Sequence, residues 1–374
     1  MTIRVLHDLA DFQNGRAFRP DETRAPTGLP VIKIAEMNKG IGELTGVFSG
    51  AAAQRHRIEP GDLLFAWSGT IVVMRWVGPP AVLNQHIFKV EARPDVDQRY
   101  LQYLLESLIP TFDLIVLDQK TTMGHVKVSD LKRIQVDVPP RQEQQVIGAT
   151  LAAIDDKIES NRRLITLVPN LVRAYVDGAL ADAGRETAVS SLARFVNGGA
   201  NTNGASGTGR MVLRIAELNS GPGGSTVYSN IQVPDDQTAC PGDILMSWSG
   251  SLGVYRWFRD EAVINQHIFK VIPNGYPAWL VFDRLEAAMP VFQGIAKDKA
   301  TTMGHIQRGH LESTTVPVPE ARRITELRPA LDALWARLLV ADREVVRLEA
   351  LRDALLPELL SGRIRVPEAQ EAVA

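Results

Sequence analysis

A single cysteine, Cys240, stands among 374 residues. That excludes an internal disulfide and any cysteine-rich zinc site, and makes a reducing cytoplasm the expected compartment. An excess of one charge is missing too: 41 Lys and Arg oppose 43 Asp and Glu, for a net charge of −2. The balance is local as well, since residues 1–140 carry 16 basic and 16 acidic side chains. A nucleic-acid binder usually leaves a basic footprint, so composition alone argues against one. No apolar run approaches the roughly 18–20 residues of a membrane span. The start, MTIRVLHDLADF, lacks the apolar stretch of a secretory signal, and no membrane role is expected. Catalytic signatures are also missing. There is no G-x-x-x-x-G-K-[ST] loop, no convincing G-x-G-x-x-G after a strand, no G-x-S-x-G elbow and no Asn-Pro-Pro-Tyr type of motif.

What the chain has instead is itself, twice. NQHIFKV occurs at Asn84–Val90 and again at Asn265–Val271, 181 positions on. LADFQNG (Leu9–Gly15) resembles LARFVNG (Leu192–Gly198), and KIAEMN (Lys33–Asn38) matches RIAELN (Arg214–Asn219). PGDLLFAWSGT (Pro60–Thr70) matches PGDILMSWSGS (Pro241–Ser251), and KTTMGHV (Lys120–Val126) matches ATTMGHI (Ala300–Ile306). Between Gly61 and Val90, 18 of 30 positions are identical to their partners. A unit of about 180 residues exceeds the roughly 20–50 of solenoid and propeller repeats. Each copy is therefore a domain with an appendage.

The globular part of each copy shows strand signals (VVMRWV, HIFKV, VYRWF) bounded by Gly, Pro, Asn and Asp, then a helix near Tyr100–Ile109 and Ala278–Ala288. The appendage is heptad-like. Apolar or small residues recur at Ile147, Leu151, Ile154, Ile158, Ile165, Val168, Val172, Tyr175 and Ala179, interrupted only by Asn161. The second copy repeats the rhythm at Leu327, Leu331, Leu334, Leu338, Ala341, Val345, Leu348 and Leu355. About 40 residues make a rod of roughly 60 Å. Pro169 should kink or split the first rod, and Pro329 and Pro357 should give the second a late start and an early bend. A seam this long needs a partner, and the other copy's helix supplies one.

The repeated polar segments admit two readings each. WSG is a buried Trp closing a strand at a turn, or a device placing backbone donors and a hydroxyl on a phosphate or base edge. NQHIFKV alternates, with Gln85, Ile87 and Lys89 on one face and His86, Phe88 and Val90 on the other. It is a core strand with a capped start, or a strand whose Asn84 and Gln85 read adenine while His86 and Lys89 meet phosphate. TTMGH favours a binding loop, because repeated loop residues are hard to explain by packing. No second His, Cys or carboxylate stands at ligand spacing from His125 or His305, so no metal is expected. Hydroxyls, amides, aromatics and glycines are what the duplication preserves, which is binding chemistry.

These segments, in this order and duplicated, resemble the specificity subunits of type I restriction–modification systems over almost the whole chain. KTTMGHVKVSDLKRIQVDVPPRQEQQVIGATLAAIDDKI resembles that family's junction of recognition domain and helix, and LRDALLPELLSGRIRV its terminal helix. One departure is the second junction, PEARRITEL, which lacks Gln-Glu-Gln, so helix-end contacts should differ between copies. The resemblance implies an α+β fold: two similar mixed α/β target-recognition domains joined by two long antiparallel coiled-coil helices, an internal pseudo-two-fold repeat. The expected segments are 1–138 and 183–318 for the recognition domains, 139–182 and 319–366 for the spacer helices, and 367–374 for a tail.

By the same resemblance the chain is not itself an enzyme. Each recognition domain reads one half of a bipartite double-stranded DNA site, and the helices set the spacing. The helices dock two methyltransferase subunits that bind S-adenosylmethionine, and a restriction subunit that uses ATP and Mg can join; this chain holds no cofactor. Expected DNA contacts in the first copy are Trp67, Ser68, Thr70, Arg75, Asn84, Gln85, His86, Lys120, Thr121, Thr122 and His125. In the second they are Trp248, Ser249, Ser251, Arg256, Asn265, Gln266, His267, Thr301, Thr302 and His305. WSG, NQHIFKV and TTMGH barely differ between copies, so either they are framework and phosphate contacts and base choice rests on the divergent stretches Ser49–Glu59 and Asn230–Ala239, or the two half-sites are similar and the target is partly palindromic. A competing reading is a two-headed scaffold holding two copies of a protein partner, which the neutral charge favours.

Overall fold

A computed structural model describes residues 1–118, 124–182, 184–202, 205–298 and 304–365. Two compact units divide the chain: Met1–Lys157 with Leu348–Ala374, and Ile158–Arg347. This division does not follow the repeat boundaries expected from sequence. Each unit holds one globular part together with portions of both long helices.

In the first unit a four-stranded antiparallel sheet takes the order Ala10–Asn14, Ile87–Ala92, Leu63–Ala66, Val72–Arg75. A second sheet takes the order Val47–Phe48, Leu29–Ile32, Ala81–Leu83, Arg57–Ile58, and its central pair is parallel. Thr2–Val5 pairs with Gln135–Val138, tying the chain's start to the strand that precedes the long helix. The second unit repeats this pattern strand for strand: Ala193–Asn197, Ile268–Pro273, Ile244–Ser247, Gly253–Arg256 in one sheet, and Val227–Ser229, Arg210–Leu213, Ala262–Ile264, Thr238–Ala239 in the other. Gly184–Ala188 pairs there with Thr315–Pro319.

The NQHIFKV strand is buried on both faces. Ile87 packs into the cluster of Ile32, Leu64, Trp76 and Leu83, while Phe88, on the opposite side, packs against Phe12, Phe65 and Trp67. Its half-polar look comes from Lys89, whose ammonium lies 3.0 Å from Asp62 and 3.4 Å from Glu91. Burial alone would lower the lysine's pKa, but the two carboxylates outweigh it and the net shift is upward. Lys270 pairs the same way with Asp243, at 2.8 Å. Both lysines therefore fasten the PGD turn to the sheet and are not placed for phosphate.

Helices follow the sheets. The first copy has Gln98–Ser107 and Ile109–Asp118, bent by 48° at the break between them, and the second has one helix, Ala278–Asp298. Asp97 caps the first of these by accepting from the Arg99 and Tyr100 amides.

The long helices are Arg141–Asp182 and Ala321–Leu360, 42 and 40 residues without a break. Pro169 does not split the first. Its missing donor frees the Ile165 carbonyl, and the helix continues through it, with Asn170 Nδ2 donating to Thr166 O at 3.2 Å and Thr166 Oγ1 to Arg162 O at 3.0 Å in the adjoining turns. Nor does Pro329 delay the second helix, which starts eight residues before it, at Ala321. Pro357 lies within the same helix, short of its end. Burial of an apolar seam outweighs the roughly 3 kcal/mol an interior proline costs.

Across Pro169 the buried stripe runs Val168, Val172, Val176, Ala179, so Val176 takes the place expected for Tyr175, which is 48% exposed. Eleven residues over three turns is close to the period of a straight helix. A straight helix suits a segment packed on its own globular domain, as this one is. Contrary to the sequence expectation, Arg141–Ala181 is, by length and composition in one 18-residue window, apolar enough to cross a membrane. Val168, Val172 and Val176 of that helix are covered by the core of the second unit.

In the second unit the two helix segments run antiparallel, since Asn161 near the start of one bonds Glu344 near the end of the other. In the first unit Asp155 accepts from Tyr103 Oη at 2.6 Å and from Arg352 Nη1 at 3.0 Å, joining both long helices to the domain. Glu106 sits beside this knot, and burial pushes its carboxyl up to about 7, helped by the charge of Asp155 and opposed by a hydrogen bond from Gln102. Between pH 4.5 and 7 the folded state holds a proton that the unfolded state has lost, so stability falls as pH rises. At about 1.4 kcal/mol for each pH unit of that window, the effect is a few kcal/mol at most. Thermal melts of Glu106→Gln should lack this fall between pH 5 and 8, while the parent chain shows it.

Candidate functional site

Three repeated segments converge at one end of the first sheet in each copy. The PGD turn comes first. Gly61 N donates to Trp76 O at 2.7 Å and Trp76 N to Asp62 O at 2.8 Å, with matching bonds of 2.7 and 2.8 Å at Gly242, Trp257 and Asp243. This sends the strand Leu63–Ala66 straight into Trp67-Ser68-Gly69. Gly69 and Gly250 adopt φ of +69° and +68°, a left-handed turn that only glycine enters freely.

The Trp67 backbone then bridges the other two segments. Its N–H donates to His86 O at 3.2 Å and its carbonyl accepts from Val126 N at 2.8 Å, while Gly69 N donates to Gly124 O at 3.2 Å. Trp248 repeats the arrangement with His267 at 3.2 Å and Ile306 at 3.0 Å, and Gly250 with Gly304 at 3.0 Å. A Cβ on Gly124 or Gly304 would lie 2.5 Å from Val116 O or Ala296 O, so close passage of the loop over the helix requires glycine there. The WSG turn, the NQH turn and the end of TTMGH form one framework, held by backbone bonds.

Ring contacts reinforce it. The Trp67 centroid lies 5.5 Å from His86, 5.7 Å from Phe88 and 6.0 Å from His125. In the second copy Trp248 lies 5.4 Å from His267, 5.9 Å from Phe269 and 6.4 Å from His305. Ser68 and Ser249 are buried at 4% and 6% exposure, and each bridges to the histidine of its TTMGH segment. What faces outward is Thr70 and Gln85 in one copy and Ser251 and Gln266 in the other. Asn84 is half-buried and Asn265 buried, at the turn where the chain leaves the inner strand of the second sheet. Lys120, Thr121, Thr122, Thr301 and Thr302 lie outside the described residues.

The two frameworks differ at the tryptophan ring nitrogen. Trp67 Nε1 donates to Asn14 Oδ1 at 3.0 Å, whereas Trp248 Nε1 and Asn265 Oδ1 are buried without partners. His86 and His267 each bury an unpartnered Nδ1, so that feature belongs to the shared framework. Among the described residues no group of acidic, His or Cys side chains could hold a metal ion. The exposed chemistry is amide and hydroxyl.

Arg75 and Arg256, expected as DNA contacts, each pair with an aspartate of a long helix. Arg75 pairs with Asp156 at 3.2 Å, and Arg256 pairs with Asp342 at 3.1 Å while lying 5.2 Å over the Trp335 ring. Strand residues on the side away from the turn meet the helix that packs there. Burial pushes the Asp342 carboxyl up and Arg256 down, so each compensates a poorly hydrated partner.

Asn14 and Arg16 escaped sequence reasoning. Arg16 lies 4.7 Å over Phe18 and 5.1 Å over Phe48 and pairs with Glu22. Its loop carries Arg19 and Arg24, whereas 199–209 in the other copy has no charge. That contrast between copies was the available signal. Ser49–Glu59 and Asn230–Ala239 both run along the second sheet, and Asn230 Nδ2 donates to Thr208 Oγ1 at 3.0 Å, joining two divergent loops. In each copy the shared framework sits at the first sheet and the divergent residues at the second.

The fold and site thus define a duplicated binding protein built on two long helices. Residues 1–170 match the family model for the type I restriction modification DNA specificity domain. The chain is 24% identical over 184 residues to the type I restriction enzyme EcoBI specificity subunit of Escherichia coli, covering 48% of this chain and 38% of that one. It is 18% identical over 348 residues to the MjaIX specificity subunit of Methanocaldococcus jannaschii, covering 83% and 80%. The type I restriction–modification S subunit from M. genitalium shares the fold at a TM-score of 0.67 and 15% identity, covering 96% of this chain and 95% of that one. In each of these comparisons the chain is similar to type I restriction–modification specificity subunits.

The two arginine clamps differ in burial, and the difference is measurable. Arg256→Met should cost roughly 3–5 kcal/mol in chemical denaturation by leaving Asp342 buried alone, and Arg256→Met with Asp342→Leu should recover most of it. Arg75→Met, at the more exposed pair, should cost about 1 kcal/mol or less.

Proposed function

We propose that this chain is the DNA-reading subunit of a type I restriction–modification complex, with each globular domain reading one half of a bipartite double-stranded site. The observation that carries the reading is the separation within each copy. A framework of Trp, His, amide and hydroxyl groups is held identical, while the residues beside it on the second sheet diverge. Identical frameworks suit contacts to a backbone that is the same at every site, and divergent loops suit base edges that are not. The framework offers Gln85, Thr70, Gln266 and Ser251 outward.

The chain is proposed to be non-catalytic and to work in the cytoplasm. Two methyltransferase subunits are its proposed partners and supply S-adenosylmethionine chemistry, and a restriction subunit with ATP and Mg is a further one. The balanced charge fits this division of labour, because the phosphate affinity a basic face would give must then come largely from those partners. The isolated chain is expected to bind DNA weakly and to lose it as salt rises.

The test is co-expression with the cognate methyltransferase and mapping of methylated adenines. A bipartite motif is expected, and deleting one helical turn from both long helices should change its spacer. Methylation at an unchanged spacing would remove the ruler from this reading. A mobility shift absent even with the methyltransferase, together with two bound copies of a protein, would establish the scaffold that the neutral charge favours.

A further inference from the structure

Among the described residues of the second unit, the seam between the long helices buries one polar side chain with its partners on the opposite helix, Asn161. Asn161 has no exposed surface, although its amide is strongly polar. Its Nδ2 donates to Glu344 Oε2 at 2.9 Å and its Oδ1 accepts from Arg337 Nη2 at 3.5 Å. Arg337 and Glu344 are themselves paired at 3.6 Å. Burying an amide costs free energy before its bonds are made, so leucine here would give the stickier seam.

The repeat shows what the asparagine adds. Every seam residue of the first helix has its mate 180 positions on, and the mate of Asn161 is Ala341, also fully buried. The mates of Arg337 and Glu344 are Lys157 and Leu164, which offer an ammonium and a methyl group. The triad therefore exists only when the first helix meets the second. Pairing the first helix with another copy of itself would set Asn161 against Asn161 with no carboxylate at hand. A slip of one heptad would set it against Leu334 or Leu348, within reach of only one of the two ionic partners.

The geometry points to Asn161 as the residue that fixes the register and the partner of the helix pair. A buried polar residue in an apolar seam can select one alignment at a cost in stability. The inference deepens the proposed DNA-reading role in its last step only: the register that Asn161 selects sets the spacing of the two half-sites. A heptad slip moves one helix by about 10 Å, or roughly three base pairs.

The test reads register directly in the full chain. On a Cys240→Ser background, spin labels at Thr166→Cys and Ala333→Cys, exposed positions on the two helices of one unit, should give a single distance. Asn161→Leu should melt no lower, yet add a second distance displaced by about 10 Å or a self-associated species in light scattering. Asn161→Ala serves if the leucine variant does not fold. Rebuilding the triad on the mate, with Asn161→Ala, Ala341→Asn, Lys157→Arg and Leu164→Glu together, should restore one distance. A single distance and a monomer in both Asn161 variants would overturn the inference. With the methyltransferase present, shifted distances should bring methylation at sites with altered spacing. Shifted distances with unchanged spacing would uphold the register role and remove only its link to DNA.

Discussion

The structure depends on two apolar helix faces, each about 40 residues long, that have to be covered along their length. A lone amphipathic helix gains most of its stability from what buries that face. In the second unit the cover is shared: Val168, Val172 and Val176 lie in one core with Leu331 and Leu338 of the other helix and with Trp279, Leu285 and Phe292 of the globular domain. The helix is thus part of the domain's core. This is why the compact units cut across the helices at Lys157–Ile158 and Arg347–Leu348 instead of following the repeat. It is also why an interior proline is tolerated in each long helix.

The same demand explains which residues the duplication kept. Phe88 and Phe269 fill the domain interior beside Trp67 and Trp248, and Lys89 and Lys270 pair with turn carboxylates that also accept the Glu59 and Cys240 amides. These positions are fixed by packing and by hydrogen bonding at once, so neither copy could change one without changing the others. The Ser49–Glu59 and Asn230–Ala239 stretches carry no such double duty, and there the copies have separated.

Much of this was legible in the sequence, and the failures have physical causes. The duplicated domains, the long helices and most of the seam follow from local periodicity, which an amphipathic face imposes directly. The convergence of WSG, NQH and TTMGH was suggested by their repetition. Its mechanism, three backbone ladders meeting at Trp67, depends on pairings between residues up to about 60 positions apart and leaves no local trace. The ion pair of Arg75 was hidden for the same reason, since its partner Asp156 is 81 residues away. Tyr175 was misplaced because a heptad template assumes a supercoiled partner along the whole length. That segment is packed instead on a domain and keeps the straight-helix period.

At three levels of the helices the copies depart in one direction, while Leu164 and Val172 of the first helix run the other way against their mates Glu344 and Arg352. Gln144 in the first junction accepts from Asp97 N and donates to Pro139 O, both at 2.9 Å, and its mate Ile324 is apolar and packs against the second unit's core. Asp155 in the first copy takes bonds from Tyr103 and Arg352, and its mate Trp335 carries Arg256 on its face. Asn161 is answered by Ala341. In each pair the first helix supplies the hydrogen-bonding group and the second the apolar or small one. At Asn161 the inequality is complementary, since its triad needs Arg337 and Glu344, whose mates on the first helix are Lys157 and Leu164. At that level a chain that repeats itself has seams that are no longer interchangeable.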